Sequence, residues 1–234
     1  MIRSLNVMTS YAASVARLGS GQYVTALGKR PEKPLELYEF ENCPFCRKVR
    51  EALCLLDLEV FIYPCPKGGT RFRPRAVELG GKQQFPYLVD PNTGQRMYES
   101  NDIIRYLFET YGDVNVAKGV MPGPLTTASS MLASWTRGLG GSRARPSRAP
   151  EKPLELWSFE ASPYCRIVRE TLCRLELPYL LHNVAKGSPR RPDFIARSGR
   201  MMVPYLSDPN TGVAMFESAD IVAWLEKTYG APGT

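Results

Sequence analysis

Two stretches of this 234-residue chain are near copies of each other. Residues 31–58 and 150–177 agree at 19 of 28 positions, both opening on PEKPLEL, and residues 85–112 agree with 203–230 at 17 of 28. The offset is 119 in the first window and 118 in the second, so one residue has been lost in between. A duplication at this level requires one fold used twice. It divides the chain into a basic transit-like or extended N-terminal arm (1–30), a first module (31–113), a linker (114–149) and a second module (150–234). Each module, roughly eighty residues, is large enough to fold alone around a modest core.

The hydrophobic period changes in the same order in both copies. LELYEF and LELWSF alternate like strands and end beside a Cys or Ser followed by Pro. The next segment places Val49, Leu53 and Leu56 at helical spacing. LEVFIY and LPYLLHNV read as second strands, and residues 75–79 as a short helix. FPYLVDPNTGQRMYES then reads as two short strands around Asp90, Pro91, Asn92 and Gly94, residues that favour tight turns. A helix over 101–111, with Ile103, Ile104 and Leu107 on its buried face, closes the unit. The expected class is α/β, with each module ordered β-α-β-α-β-β-α.

The formal charge of +7 raises the question of nucleic acid, so its location decides. Residues 1–30 carry four basic and no acidic side chains, and residues 114–150 carry five and none; the remainder is slightly acidic. The basic character lies in the flanking segments, and no nucleic-acid partner is expected. The absence of acids in residues 1–30, with abundant Ser, Thr, Ala and Arg, is the composition of an organellar transit peptide, which points to a plastid or alternatively a mitochondrion. No apolar run reaches the roughly 18 residues of a membrane-spanning helix.

Of the six cysteines, Cys43, Cys46, Cys54, Cys65, Cys165 and Cys173, one pair is spaced Cys-x-x-Cys. That spacing at a strand-to-helix turn reads as redox chemistry. Thiol–disulfide exchange needs a thiolate, and a helix N-terminus favours negative charge. Cys43 is therefore the expected nucleophile, helped by Arg47 and Lys48 one turn along, and Cys46 the resolving thiol. Pro44 fits the first helical position, where a missing N–H costs nothing. A zinc site needs four ligands, which His182 alone and an unpaired Cys65 do not supply, so no metal is expected. Cys54 and Cys173 fall on the apolar side of their helices as core residues, and Cys65, in YPCPKGG, is expected to be exposed and oxidisable.

These motifs in this order, Cys-Pro-Phe-Cys at the first turn, Phe85-Pro86 opening the third strand and Glu99-Ser100 opening the last helix, resemble the glutaredoxin and glutathione-transferase N-terminal branch of the thioredoxin fold. The resemblance covers residues 35–113 and 154–230. The tandem arrangement with FPYLVDPNTG, YPCPKGG and PEKPLELW is similar to plastid-targeted plant and algal proteins. The resemblance implies a cis Phe85-Pro86 bond whose backbone receives glutathione as an added strand. It also implies that Glu99 and Ser100 hold the γ-glutamyl end, with Lys82 and Gln84 toward the other. Glutathione would be a co-substrate, with no tightly bound cofactor; a glutathione-ligated iron–sulfur cluster bridging two chains, known among glutaredoxins, stays an alternative. Glutathione transferases build their second-substrate pocket from an all-helical domain. None follows either module here, so ordinary conjugation is not expected.

The second module keeps Cys165, Val203, Pro204, Glu217 and Ser218 but has Ser162 in place of the nucleophile. A serine hydroxyl cannot carry out thiol–disulfide exchange at neutral pH. The module either still binds glutathione, with Ser162 hydrogen-bonded to its sulfur, or is a structural copy. In the linker, Met131, Leu132, Trp135 and Leu139 fall on one helical face within 125–139, which reads as a helix packing across the two modules. The sequence reading is a glutathione-dependent thiol–disulfide oxidoreductase acting on mixed disulfides. The alternative is a non-catalytic adaptor in a larger organellar assembly, contacting a protein partner through the linker helix or the N-terminal arm.

Overall fold

The computed structural model describes residues 2–112, 124–135, 137 and 140–231. A helix α1 (Ile2–Ala16) precedes the first module, which runs β1 (Leu35–Glu39), α2 (Pro44–Leu55), β2 (Val60–Pro64), α3 (Phe72–Gly80), β3 (Tyr87–Val89), β4 (Arg96–Met97) and α4 (Ser100–Tyr111). A helix α5 (Pro124–Trp135) precedes the second, which runs β5 (Leu154–Ser158), α6 (Pro163–Arg174), β6 (Tyr179–Asn183), α7 (Arg191–Ser198), β7 (Tyr205–Asp208), β8 (Val213–Phe216) and α8 (Ser218–Tyr229). Both modules have the β-α-β-α-β-β-α order of a thioredoxin-like domain. The expected core residues Val49, Leu53, Leu56, Ile103, Ile104 and Leu107 are buried.

The two sheets are continuous. Within each module the first two strands are parallel and the last two antiparallel, and β2 pairs antiparallel with β6, Phe61 opposite Leu180. One eight-stranded sheet results, in the order β4-β3-β1-β2-β6-β5-β7-β8. A module alone would present β2 or β6 as an open edge with unpaired backbone groups, and each copy covers the other's. Loops reinforce the seam reciprocally: Arg71 Nη1 donates to the Leu175 carbonyl at the end of α6 (3.0 Å), and Arg190 Nε donates to Asp57 just past α2 (3.3 Å).

The duplicated unit also includes the helix before each module, at an offset of 120: Ser10, Ala13, Ser14, Arg17 and Gly21 correspond to Ser130, Ala133, Ser134, Arg137 and Gly141. These helices are exchanged, α1 packing on α6 and α5 on α2, with α1 and α5 against each other. Ser10 Oγ donates to the Pro163 carbonyl (2.8 Å), as Ser130 Oγ does to Pro44 (2.7 Å). Arg17 forks onto Glu51 and Arg137 onto Glu170. Residues 2–16 are thus an integrated helix rather than an extended arm. The expected linker face is inverted: Ser130, Ala133 and Ser134 are buried, while Met131, Leu132 and Trp135 (81 %) face outward; Leu139 lies outside the described residues. Close approach of two helices selects small residues, so the larger ones are displaced to the outside.

A buried ionic cluster joins the two modules. Arg50 reaches Glu39, Glu41 and Glu160, while Arg169 reaches Glu41 (3.1 Å), Glu160 (2.8 Å) and the hydroxyl of Ser158 (3.2 Å). Burial pushes the Glu160 carboxyl up, but Arg169, Arg50, Arg166 and Arg47 outweigh it and hold it down to about 2. Such a cluster does little for net stability, because desolvation offsets attraction, but it penalises any arrangement that leaves one charge unmatched. Gly21 and Gly141 lie against it with positive φ. A Cβ on either would come within 2.8 Å of the Cβ of Glu160 or Glu41.

Candidate active site

Cys43 caps the N-terminus of α2 in an extended conformation (φ −75°, ψ 122°), and its Sγ accepts the Cys46 backbone N–H at 3.3 Å. Pro44 follows at the first helical position, where it costs no hydrogen bond. The side-chain hydrogen bond from Cys46 is the largest influence on the Cys43 thiol and holds it below its ordinary range. Burial opposes this, and the backbone N–H groups of Cys46 and Phe45 assist it. Burial pushes Cys46 well up, and the hydrogen bond with Cys43 adds to the rise. The pair is thus polarised, Cys43 being the more acidic of the two thiols.

The lowering has a different origin from the one expected of Arg47. That guanidinium is buried between α2 and its surroundings, and it is not among the main influences on Cys43. Its counterpart Arg166 donates to Ser10 and Ser14 of α1. Lys48 turns to Asn101 at the start of α4 (2.7 Å) and to Thr127 of α5 (2.9 Å), tying three helices together. Cys65 is a second correction: it is fully buried, its thiol hydrogen-bonds the Tyr63 carbonyl at 3.4 Å, and burial pushes it up. Cys54 and Cys173 are buried as expected, Cys54 bonded to Asn183 (2.8 Å).

The Phe85-Pro86 bond is cis, and Tyr87 pairs with Tyr38 of β1, so the proline lies beside the end of the strand that leads to Cys43. Arg73 covers the Phe85 ring (4.9 Å). Glu99 caps α4 with φ 65°, an uncommon conformation for a non-glycine residue, and Ser100 behind it is buried. Gln84 Nε2 donates to Glu99 Oε1 at 2.5 Å, which joins two of the expected site residues. Lys82 is exposed and held by its backbone carbonyl, which accepts from Tyr98 (2.9 Å).

The second module repeats this frame closely. Ser162 caps α6 at φ −71°, ψ 120°, and its Oγ accepts the Cys165 N–H at 3.3 Å. Val203-Pro204 is cis, and Glu217 caps α8 at φ 68° ahead of Ser218. A cavity of about 630 Å³ opens at Ser162.

Sequence reasoning missed Glu39. It is the last residue of β1, wholly buried, and its carboxyl is pushed up to about 7 by burial; Arg50 lowers it and Glu41 and Glu160 raise it. Its field raises both Cys43 and Cys46. The equivalent residue of the second module is Ser158. The signal available was the alignment itself: the two copies differ at both Glu39/Ser158 and Cys43/Ser162.

Two tandem thioredoxin-like domains, one with a polarised dithiol and one with serine in its place, define the class. The profile described as "Glutathione S-transferase, N-terminal domain" matches residues 37–115 and 156–233, more than half of the chain, and the chain belongs to that family. No curated protein matches it. Among solved structures it is similar to the Bombyx mori glutathione transferase BmGSTD1 at 25% identity, over 37% of this chain and 40% of that one, TM-score 0.32. A Nilaparvata lugens delta-class glutathione transferase matches at 28% identity over 35% and 38%, TM-score 0.30. The Leishmania trimeric glutathione transferase TDR1 matches at 12% identity over 86% and 68%, TM-score 0.31. The chain spans about two fifths of the length of the two insect proteins.

Proposed function

We propose that the chain is a glutathione-dependent thiol–disulfide oxidoreductase acting through Cys43. The observation that carries this reading is the polarised Cys43–Cys46 pair at a helix N-terminus in the same module as the cis Phe85-Pro86 bond and the Glu99-Ser100 helix start. The cysteinyl backbone of glutathione pairs with Phe85, its γ-glutamyl carboxylate meets Ser100 and the N-terminus of α4, and its amino group meets Glu99. The Cys43 thiolate attacks the glutathione sulfur of a mixed disulfide. A Cys43–glutathione disulfide forms, and the substrate leaves as a thiolate that takes a proton from water. A second glutathione thiolate attacks the glutathione sulfur of this intermediate, forming oxidised glutathione and freeing the Cys43 thiolate. On the other route Cys46, after losing its proton, attacks the Cys43 sulfur and releases glutathione, and the Cys43–Cys46 disulfide so formed is reduced by two further glutathiones. The test is reduction of a glutathione mixed disulfide by variants. Cys43→Ser is expected to be inactive and Cys46→Ser to keep much of the activity, since glutathione alone resolves the intermediate. An active Cys43→Ser would overturn the assignment.

A second reading, a non-catalytic adaptor, is favoured by two observations. Cys43 is only 3 % exposed, and Met8, Tyr11 and Val15 of α1 form an outward apolar surface with Leu132 of α5. A plastid location, or alternatively a mitochondrial one, is proposed on composition alone. Arg17 and the serines of α1 supply partners to Glu51 and Arg166, so cleavage that removed residues 1–30 would strand two buried charges. Imaging a C-terminally tagged chain, with N-terminal sequencing of the recovered protein, tests both points.

A further inference from the structure

We propose that a small inorganic anion of halide size binds in the interior, between Arg47 of α2 and Ser134 of α5. The site does not depend on the glutathione reading. The duplication supplies its control. Arg166, the counterpart of Arg47, donates through Nη1 to the Ser10 carbonyl (2.6 Å) and to the hydroxyls of Ser10 (3.2 Å) and Ser14 (3.0 Å), and through Nη2 to the Glu160 carbonyl (3.3 Å). Ser14 Oγ in turn donates to the Ala161 carbonyl (2.7 Å). At the equivalent contact of α5 on α2, Nε and Nη1 of Arg47 and Oγ of Ser134 are all buried and have no hydrogen-bond partner.

Arg47 is 1 % exposed, and a guanidinium neither gives up its proton nor accepts a hydrogen bond, so its donors call for an acceptor. The surrounding charge decides which kind. Arg47, Arg50, Arg166 and Arg169 are buried alongside Glu39, Glu41 and Glu160, so the positive charges outnumber the negative even with every carboxyl ionised. Glu39 is pushed up to about 7 and supplies only part of a charge near neutral pH. Glu51 and Glu170 are taken by Arg17 and Arg137, and α5 carries no charged residue. The excess is felt at Arg166, which is lowered to about 10 by burial first and by Arg47 next. A water molecule would satisfy the donors and leave the charge. An anion answers both, held by Arg47 and the Ser134 O–H. The buried small residues Ser130 and Ala133 pack this contact, which favours a monatomic ion over a larger one.

The test follows thermal unfolding of the full chain as chloride replaces gluconate, an anion too large for the site, at constant ionic strength. Once chloride exceeds its dissociation constant, each tenfold increase is expected to raise the midpoint by about 3–5 °C. Arg47→Met is expected to abolish this dependence and Ser134→Ala to weaken it. Ser14→Ala, the same change beside the partnered arginine, is expected to leave it intact. Crystals grown with bromide are expected to show its anomalous signal between Arg47 and Ser134. Should Arg47→Met fail to fold, that signal decides, and its absence overturns the proposal. A bromide signal with no effect of chloride on the wild-type midpoint means an adventitious ion only, and overturns it too. Identical midpoints in chloride and gluconate leave water as the partner of Arg47, and a chloride dependence that survives Arg47→Met places the ion elsewhere; either result overturns the proposal.

Discussion

The two modules share strand order, a cis proline, a strained glutamate and a capped helix start, yet the capping residue is a cysteine in one and a serine in the other. Cys43 Sγ and Ser162 Oγ accept the same backbone N–H at the same 3.3 Å, so the substitution leaves the cap intact. An N-cap needs an acceptor atom, and serine is among the best residues for it. The comparison teaches that the frame of such a site is maintained by folding as well as by chemistry. A motif that aligns is evidence for the fold, and the atom at one position decides the reaction. A second difference accompanies the first: the buried carboxyl of Glu39 is replaced by the hydroxyl of Ser158, so the electrostatic surroundings of the two helix starts have diverged together.

The sharpest way to break the comparison is to restore the missing atom. In a Cys43→Ser background, Ser162→Cys is expected to raise mixed-disulfide reduction from background to measurable turnover, read in the coupled glutathione assay. Continued inactivity with the fold intact would mean that the second groove no longer admits substrate. The full chain is required, because an isolated second module would expose β6 and leave Arg169 without Glu41.

The shared cluster is the next lever. Glu160→Gln removes a charge from both Arg50 and Arg169, and urea unfolding is expected to show a loss of about 3–5 kcal/mol. A loss below about 1 kcal/mol, the size of an exposed ion pair, would show that the two halves are not electrostatically joined.

Glu39 distinguishes the halves by pH. Its carboxyl ionises near 4.5 when free and about 7 in the fold, so between these values the folded chain holds a proton that the unfolded chain has lost. Its contribution to stability therefore falls as pH rises through that window and levels off above it. Relative to Glu39→Gln, wild-type stability should decline by at most about 1.4 kcal/mol per pH unit from 4.5 to 7. A flat difference would place the carboxyl among ordinary ionised groups.

The smallest effect concerns the exchanged helices. Ser130→Ala removes one hydroxyl-to-carbonyl hydrogen bond and is expected to cost about 1 kcal/mol; Ser10→Ala removes the equivalent bond and also the acceptor of an Arg166 Nη1 bond (3.2 Å), and is expected to cost more. Equal costs, measured by thermal unfolding, would show that the Arg166 bond contributes nothing.

The sequence by itself determined the module. Short-range patterns set the strands, the Pro44 helix start, the Asp90 turn and the inward faces of α2 and α4, and the resemblance supplied the cis Phe85-Pro86 bond. These features depend on residues close together in the chain, so a repeat read twice shows them twice. The tertiary structure alone decided how the copies meet. Nothing local indicates that β2 seeks β6, that each preceding helix crosses to the other module, or that Arg47, Arg50, Arg166 and Arg169 lie inside. Those outcomes follow from covering open strand edges and matching buried charges across more than a hundred residues. The burial of Cys65 and the outward turn of Trp135 are set by the same long-range packing, which is why composition and helical spacing misplaced both.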